Sequence, residues 1–154
     1  MIDSKDRSGW FGASDTDRII GSFNTKTFID WWLIKEGVTS NNFESAEMNA
    51  GTHWEHRILE YVNEDMKMDK QILIPELRLR INLDGNTEDT DYECKTYKAN
   101  KVFKVPLKYK RQVWVQMFGS KLRKAFIVAY GLTENDYKNY LAPIDKERLG
   151  LFPI

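Results

Sequence analysis

The sequence predicts an α/β domain built around a small mixed sheet. Helical patterns fill the first part of the chain, and a period of two in apolar residues then marks a pair of strands. A further helix and a buried-type strand follow, so the predicted order is α-α-α, β-β, α, β. With 154 residues, 42% of them hydrophobic and 30% charged, the chain suits one globular domain with one core, spanning residues 1–154.

Two short helices are predicted near the N-terminus. Ser14 suits the N-cap of the first, and Thr25 suits the N-cap of a second helix over residues 26–36, because both hydroxyls can accept from a free backbone N–H. The second helix is strongly apolar. Its two tryptophans, Trp31 and Trp32, are expected to pack in the core.

A third helix is predicted over residues 43–63, and it carries a candidate functional carboxylate. Glu55 falls in an otherwise apolar stripe, one turn after Gly51, which leaves room for a close neighbour. A buried carboxylate is costly unless it is paired or bound to a metal, and a salt-bridged glutamate is the alternative. His53 and His56 lack the partners of a common zinc set, so we interpret them as helix-surface or DNA-facing residues.

A β-hairpin is predicted in the middle of the chain. Apolar and polar residues alternate over residues 77–83, as in a half-buried strand, and Pro75 allows a bend or a separate short strand over residues 71–75. The turn is predicted at residues 84–86, because Gly and Asn tolerate a positive φ. The second strand is predicted over residues 92–97.

Three side chains of this hairpin form a candidate metal site. Asp84 ends the first strand, while Glu93 and Lys95 lie two residues apart and leave the same face of the second. Carboxylate oxygens suit a hard cation such as Mg²⁺, and a lysine beside them can orient a water and offset charge on a phosphate. Acids and lysines are common, so a chance match in a charged hairpin is the open alternative.

The remaining elements follow the hairpin. A helix is predicted over residues 107–122, a buried-type strand over 125–130 and a last segment over 134–140 with Thr133 as its N-cap. The spacing places four residues on the apolar side of the helix: Tyr109, Val113, Met117 and Phe118. From spacing alone, Gln112 and Gln116 are ordinary surface glutamines.

Charge is distributed unevenly although the net charge is zero. Residues 1–93 carry a net −9, residues 94–133 carry +10 with no acid among them, and the remainder carries −1. A chain divided in this way can present a basic face to a polyanion, whereas a lysine-rich solvated surface is the alternative.

Several classes of protein are not indicated. The polar N-terminus does not predict a signal peptide, and no apolar run approaches the roughly 20 residues of a membrane span. The single cysteine, Cys94, excludes an internal disulfide and fits a cytoplasmic location.

Taken together, the motifs resemble the lambda-exonuclease or YqaJ-type viral recombinase branch of the PD-(D/E)XK nuclease superfamily. The matching stretches, in order, are Arg7, Gly12–Asp15, Met48–Glu55, Asp84–Gly85, Glu93–Lys95 and Tyr109–Gln112. The resemblance covers about residues 7–131. It implies a PD-(D/E)XK, restriction-endonuclease-like core, a small mixed sheet flanked by helices.

The resemblance also implies an activity and a site. The activity is magnesium-dependent hydrolysis of DNA phosphodiesters by an exodeoxyribonuclease that resects linear duplex DNA for recombination, with one or two ions and Mn²⁺ as a substitute. The implied metal ligands are Glu55, Asp84, Glu93 and the backbone carbonyl of Cys94. Lys95 would position the nucleophilic water, and Gln112 would support the site.

The implied DNA contacts lie at both ends of the matching region. Arg7 and Ser14 match family residues that hold the 5′-phosphate of a DNA end. The basic segment would track the DNA backbone through four lysines: Lys98, Lys101, Lys104 and Lys108.

The resemblance further implies a phage- or prophage-encoded protein in a bacterial cytoplasm. Its expected partners are duplex DNA, a single-strand-annealing protein and further copies of the chain in a trimer. Relatives continue beyond the last strand with more helices, whereas this chain ends on the apolar segment Leu149–Ile154. That ending suggests a trimmed chain or a tail docked on a partner subunit.

Two alternatives to the exonuclease are open. One is a structure-specific or nicking endonuclease with the same metal site. The other is a DNA-binding or protein-interaction module with a catalytically inactive nuclease fold, although the intact Asp84, Glu93 and Lys95 argue against it.

Overall fold

The structure, a computed structural model, describes residues 8–40 and 44–154 and is built on a five-stranded mixed sheet. The helices are α1 (Thr16–Ile19), α2 (Lys26–Lys35), α3 (Ala46–Val62), α4 (Leu107–Ser120) and α5 (Glu134–Lys138). The strands are β1 (Lys67–Ile74), β2 (Leu79–Asn86), β3 (Thr90–Lys98), β4 (Lys124–Leu132) and β5 (Leu149–Pro153). Short 3₁₀ turns lie at Ala13–Asp15, Pro75–Leu77 and Lys146–Arg148.

The strands lie in the sheet in chain order, β1-β2-β3-β4-β5. All neighbours are antiparallel except β3 and β4, which are parallel because α4 crosses over between them. The α/β fold with a small mixed sheet flanked by helices is therefore confirmed.

Each face of the sheet has its own apolar core. On one side α3 contributes Trp54, Ile58 and Leu59, which pack with Val128 and Tyr130 of β4. Burial of these side chains fixes α3 against the sheet, because each fully buried large apolar residue contributes about 1.5–3 kcal/mol.

The second core lies under α4. Val113 packs with Ala125 and Ile127 of β4, and Tyr109 and Met117 are partly buried against them. Those three positions on the apolar side of the helix are confirmed. The same prediction is wrong for Phe118, which is 64% exposed.

The predicted hairpin has a different turn. The separate short strand allowed over residues 71–75 is present as the end of β1, and the 3₁₀ turn at Pro75–Leu77 separates it from β2. The turn expected at residues 84–86 is wrong, because these residues lie inside β2. A Cβ on Gly85 would lie 2.9 Å from Met66 Cγ and 3.1 Å from Leu59 Cδ1, so close packing and not a turn requires glycine there.

The predicted caps are right for two helices and wrong for one. Thr25 accepts a hydrogen bond from the backbone N–H of Phe28 at 3.1 Å, as expected. Ser14 caps nothing, because it lies within the turn Ala13–Asp15 and Gly12 precedes that turn. Thr133 caps α5 and accepts from Asp136 N–H.

The third helix begins at Ala46 after an N-cap at Ser45, so it is shorter than predicted. Residue 43, where it was expected to start, lies outside the described residues.

The two tryptophans of α2 pack less deeply than expected. Trp32 is 40% exposed, so its assignment to the core is wrong. Trp31 and Trp32 join Phe11 and Phe28 in an aromatic cluster, with ring centroids 5.3–6.4 Å apart. The cluster lies at the side of the molecule where α2 covers the N-terminal segment.

The apolar segment at the end of the chain forms β5. Its backbone pairs with β4 from Phe126↔Pro153 to Tyr130↔Leu149, and Phe152 contacts Phe103 with ring centroids 5.3 Å apart. The backbone of β5 and the side chain of Phe152 thus pack against the same chain. None of the helices in residues 8–40 and 44–154 is long and apolar enough to cross a membrane.

Candidate active site

The candidate site lies where β2 and β3 separate. The two strands pair only at Gly85↔Tyr92 and Asn86↔Asp91. Beyond these pairs the carboxylate of Asp84 occupies the gap, and its Oδ2 accepts the backbone N–H of Cys94 at 2.8 Å. A backbone donor that the ladder leaves unpaired is thus satisfied by an acidic side chain.

Glu93 lies next to this gap and is held by three donors. Lys95 Nζ and Gln112 Nε2 each lie 2.7 Å from Glu93 Oε1. Gln116 Nε2 donates to Oε2 at 2.7 Å. Gln112 Oε1 in turn accepts from Lys95 Nζ at 3.1 Å, so β3 and the inner face of α4 form one hydrogen-bonded network.

Glu55 reaches the same region from α3. The helix approaches β3 closely at Gly51, where a Cβ would lie 3.3 Å from Thr96 Oγ1. The expectation that Gly51 admits a close neighbour is confirmed. One turn later, Glu55 is half-buried and faces the other acids of the site.

The carboxylates of the site repel one another. Burial and then the charges of Glu93 and Asp69 raise the pKa of Glu55 to about 7. Burial and then the charges of Glu93 and Glu55 raise the pKa of Asp84 well above its ordinary value. A cation placed among these carboxylates would offset their mutual repulsion, and the charges of His56 and Lys95 already act in that direction on Glu55.

Lys95 stays a cation in this setting. Burial acts to lower its pKa, but the charges and hydrogen bond of Glu93 outweigh burial, and the pKa is raised above its ordinary value. The ammonium also lies 4.6 Å from the centroid of the Tyr109 ring. Its position is therefore fixed by Glu93, Gln112 and Tyr109 together.

The structure adds Asp69, which sequence reasoning missed, next to His56, which it placed on the helix surface. The register of β1 and β2 places Asp69 opposite Asp84 at a break in the ladder, where Asp69 has a φ of 55°. Asp69 Oδ2 lies 2.9 Å from His56 Nε2. Within the described residues, Glu55, His56 and Asp69 each offer a ligand atom, and these atoms lie within 4.8 Å of one another.

A second missed group lies deeper, under α4. Asp91 is fully buried two residues before Glu93, on the same face of β3. Four side-chain oxygens there have no hydrogen-bond partner in the described structure: Asn86 Oδ1, both carboxylate oxygens of Asp91, and Gln116 Oε1. Burial, and then the charge of Glu93, raises the pKa of Asp91 to about 7.

Sequence signals for the missed residues differ in strength. The alternation Asp91, Glu93, Lys95 was readable as one face of a strand, and Gln116 follows Gln112 by one helical turn. The interpretation of Gln116 as a surface residue is wrong, since it is fully buried against Glu93. Nothing in the sequence marks the left-handed backbone at Asp69.

Of the predicted site residues, five are brought together: Glu55, Asp84, Glu93, Lys95 and Gln112. The backbone of Cys94 lies between them, while its side chain is buried in the core under α3. Ser14 is exposed on a turn that packs against α4. Arg7 lies outside the described residues.

The four predicted backbone-contacting lysines lie along the chain from the last residue of β3 to the first turn of α4. Lys101, Lys104 and Lys108 are exposed, and Lys98 lies 3.5 Å from Glu47. The first turn of α4 contains no acid, although its free N–H groups and dipole favour negative charge. The segment therefore offers both lysines and a helix N-terminus to an anion.

Solved structures share this fold. The alkaline exonuclease LHK-Exo from Laribacter hongkongensis matches with a TM-score of 0.70 at 18% identity, over 96% of this chain and 78% of the other. Its complex with dAMP matches at 0.71 and 16%, with the same coverage. A third structure, that of SSO0001, matches at 0.51 and 12%, over 96% of this chain and 67% of the other.

The chain has the same fold as these structures, a five-stranded mixed sheet flanked by helices. No protein-family model matches the chain, and no curated protein matches it either.

Proposed function

We propose that this chain is a divalent-metal-dependent deoxyribonuclease, and specifically an exonuclease that degrades linear duplex DNA. One observation carries the proposal: Glu55, Asp84 and Glu93 converge beside a charged Lys95 at the break between β2 and β3. Gly51 lets α3 approach β3 closely, and Gln112 and Gln116 donate hydrogen bonds to Glu93. These contacts hold the acidic side chains in place. The shared fold with solved exonucleases supports the same reaction class.

The residues fit a hard cation. Glu55, Asp84, Glu93 and the carbonyl of Cys94 would hold one or two Mg²⁺ ions, or Mn²⁺ in their place, since all are oxygen donors. The raised pKa values of Glu55 and Asp84 express a local excess of negative charge that such an ion would neutralise. When bound, it would act as a Lewis acid that lowers the pKa of a water and offsets charge on the phosphate.

The protein groups then have separate tasks. Lys95 is oriented by Glu93 and Gln112 and keeps its proton, so it donates to the attacking water or to a phosphate oxygen. The water oxygen bonds to phosphorus while the bond from phosphorus to the 3′-oxygen breaks. The proton lost by the water is balanced by the proton gained by the 3′-oxygen, so the products are a 5′-phosphate and a 3′-hydroxyl. Gln116 fixes the far oxygen of Glu93, which keeps the carboxylate aimed at the cleft.

The basic segment supplies the contact with DNA in this proposal. Lys101, Lys104 and Lys108 are exposed and lie in the connection after β3 and in the first turn of α4. Their charge would hold the phosphate backbone beside the site and make binding salt-dependent. Arg7 and Ser14 would hold a 5′-phosphate and so confer a requirement for DNA ends.

A role in recombination, with a single-strand-annealing partner and a trimer of this chain, belongs to the same proposal. It is supported by the sequence motifs that resemble viral recombinases.

The test is digestion of matched linear and covalently closed duplex DNA, with and without Mg²⁺. We expect degradation of the linear form only, only with metal, and none by Asp84→Asn. Rapid cutting of the closed circle would replace the exonuclease by an endonuclease. Binding of DNA without cleavage of either form would leave an inactive binding module. In the same assay, Arg7→Ala should slow digestion of 5′-phosphorylated ends and leave 5′-hydroxyl ends almost unchanged.

A further inference from the structure

The outer face of α4 is not used by the proposed active site. Leu107, Lys110, Trp114 and Phe118 follow one another at helical spacing, and Lys121 comes directly after the helix. We call these five residues the outer stripe of α4. All are exposed, with Trp114 at 51% and Phe118 at 64%.

The stripe is unusual in both its apolar and its charged members. Within the described residues, the rings of Trp114 and Phe118 contact no other aromatic ring, and Lys110 and Lys121 form no ion pair. Large exposed aromatic side chains in a row mark an interaction surface, because burying them against the protein would otherwise be favourable. No acid occurs anywhere from residue 94 to residue 133.

The geometry points to single-stranded DNA as the occupant: we propose that bases stack on Trp114 and Phe118 while adjacent phosphates contact Lys110 and Lys121. Aromatic side chains alternating with cations are the usual means of binding a single strand without sequence preference. Residues four apart on a helix are separated by about 6 Å along its axis, more than the about 3.4 Å between stacked nucleotides of a duplex strand. The spacing therefore suits an extended, unstacked strand.

Charge favours DNA over a second copy of this chain. Two copies that met through the same stripe would bring Lys110 and Lys121 against their own equivalents, with no acid in the stripe to pair them. A polyanion instead matches the stripe along its whole length.

The position of the stripe connects it with the proposed function. The inference about where the single strand comes from rests on that function. The inner face of α4 holds Glu93 through Gln112 and Gln116, while the outer stripe lies on the opposite face of the same helix. A helix with its side chains is about 10 Å across. A strand released from its complement at the cleft would thus meet the stripe within a few nucleotides.

The test uses binding alone, in EDTA, so that the proposed hydrolysis plays no part. Fluorescence anisotropy would measure binding of a labelled 20-nucleotide oligo(dT) and of a strand of equal length and charge whose sugars lack bases. We expect Trp114→Ala and Phe118→Ala each to weaken oligo(dT) binding about tenfold. Binding of the abasic strand should hardly change, and thermal stability should not, since both side chains are exposed.

Two further variants complete the experiment. Lys110→Gln with Lys121→Gln should reduce the slope of log K against log salt by about 1.4, or about 0.7 for each lost contact to a single strand. Leu141→Ala is the matched control, because Leu141 is a large apolar residue that is 84% exposed outside the stripe. It should bind oligo(dT) like the parent.

Equal binding of both strands by the parent, or no loss in the aromatic variants, would overturn the proposal. So would a concentration-dependent dimer in sedimentation that Trp114→Ala abolishes, because the occupant would then be a second copy. A chain that binds oligo(dT) through the stripe yet degrades no DNA would keep this inference and reject the nuclease. The reverse result would reject the inference alone.

Discussion

Two neighbouring positions on one face of β3 hold a buried carboxylate in opposite surroundings. Glu93 and Asp91 lie two residues apart on the same face of β3, and they are 3% and 0% exposed. Glu93 receives an ammonium and two amide donors, whereas neither oxygen of Asp91 has a partner in the described structure. Both carboxylates are thus buried, and the hydrogen-bond donors around Glu93, which faces the cleft, distinguish it from Asp91.

The difference teaches how a strand can keep one acid ready for chemistry. A buried charge is tolerated when hydrogen bonds and an opposite charge replace water, and otherwise the group takes up a proton. Lys95, Gln112 and Gln116 supply such hydrogen bonds and an opposite charge to Glu93. Asp91 follows the second course, since its pKa is raised to about 7.

The largest expected effect is the loss of DNA cleavage when a carboxylate that faces the cleft is replaced. Glu93→Gln and Asp84→Asn should each lower Mg²⁺-dependent cleavage by about 10³-fold, because each removes a charged ligand from the proposed cation site. Circular dichroism and thermal unfolding should show that both variants remain folded. Asp91→Asn is the matched control and should cleave within a few-fold of the parent. Near-normal turnover of either ligand variant would mean that the site is misplaced.

The second prediction concerns the effect of Asp91 on the stability of the folded protein. The pKa of Asp91 is about 7 in the folded protein, against an ordinary value of about 3.9 when unfolded, so between these values the folded state binds more protons. Its stability is therefore highest below about pH 4 and falls as pH rises through about 7. Asp91→Asn should remove this loss and raise the free energy of unfolding at pH 8 by on the order of 2–4 kcal/mol.

Urea denaturation in EDTA at pH 4.5 and pH 8 measures that gain. The stabilities of the parent and of Asp91→Asn should differ most at pH 8 and by only about 1 kcal/mol at pH 4.5. Equal stabilities at pH 8 would mean that Asp91 has a buried partner, such as an ordered water, that offsets its charge.

The same reasoning gives a pH dependence of metal binding at the cleft. Glu55, with a pKa of about 7, and Asp84, with a raised pKa, must lose protons before they can hold a cation. Mg²⁺ should therefore bind at least about tenfold more tightly at pH 8 than at pH 6. Calorimetric titration measures this, and Glu55→Gln should flatten the dependence. An affinity independent of pH would show that protons and the cation do not share these groups.

The smallest effect separates DNA binding from the chemistry of β3. Lys101, Lys104 and Lys108 changed together to Gln should reduce the salt slope of duplex binding by about 0.9 for each lost phosphate contact. A control with the same change in charge replaces exposed lysines elsewhere, namely Lys67, Lys70 and Lys138. An unchanged slope in the first variant would mean that its lysines contact only solvent.

The placement of Glu93 and Lys95 was predicted well, because side chains two residues apart on a strand leave the same face. Glu93 and Lys95 lie on one face as expected, and Gln112 meets them from α4. Glu55 was found for an equally local reason, since an acid in an apolar helical stripe needs a partner. In each case neighbours along one element carried the information.

The errors have a different origin, in contacts between distant elements. Gly85 was predicted to form a turn because glycine suits positive φ, yet here it makes room for Met66 and Leu59. Gln116 was predicted to face solvent because a polar residue usually does, but Glu93 on another element requires its amide. Trp32 was predicted to be buried from its size, although α2 lies at the edge of the molecule.

The hydrogen bond between Asp84 and the Cys94 amide has a consequence for spectroscopy. The Cys94 amide donates to the Asp84 carboxylate and not to a backbone carbonyl of β2. Its exchange with deuterium therefore reports on one side chain. In Asp84→Ala the amide becomes free, and its protection should fall towards that of a loop while neighbouring β3 amides paired with β4 stay protected. One backbone resonance can thus serve as a gauge of whether the cleft is assembled, even in variants that no longer cut DNA.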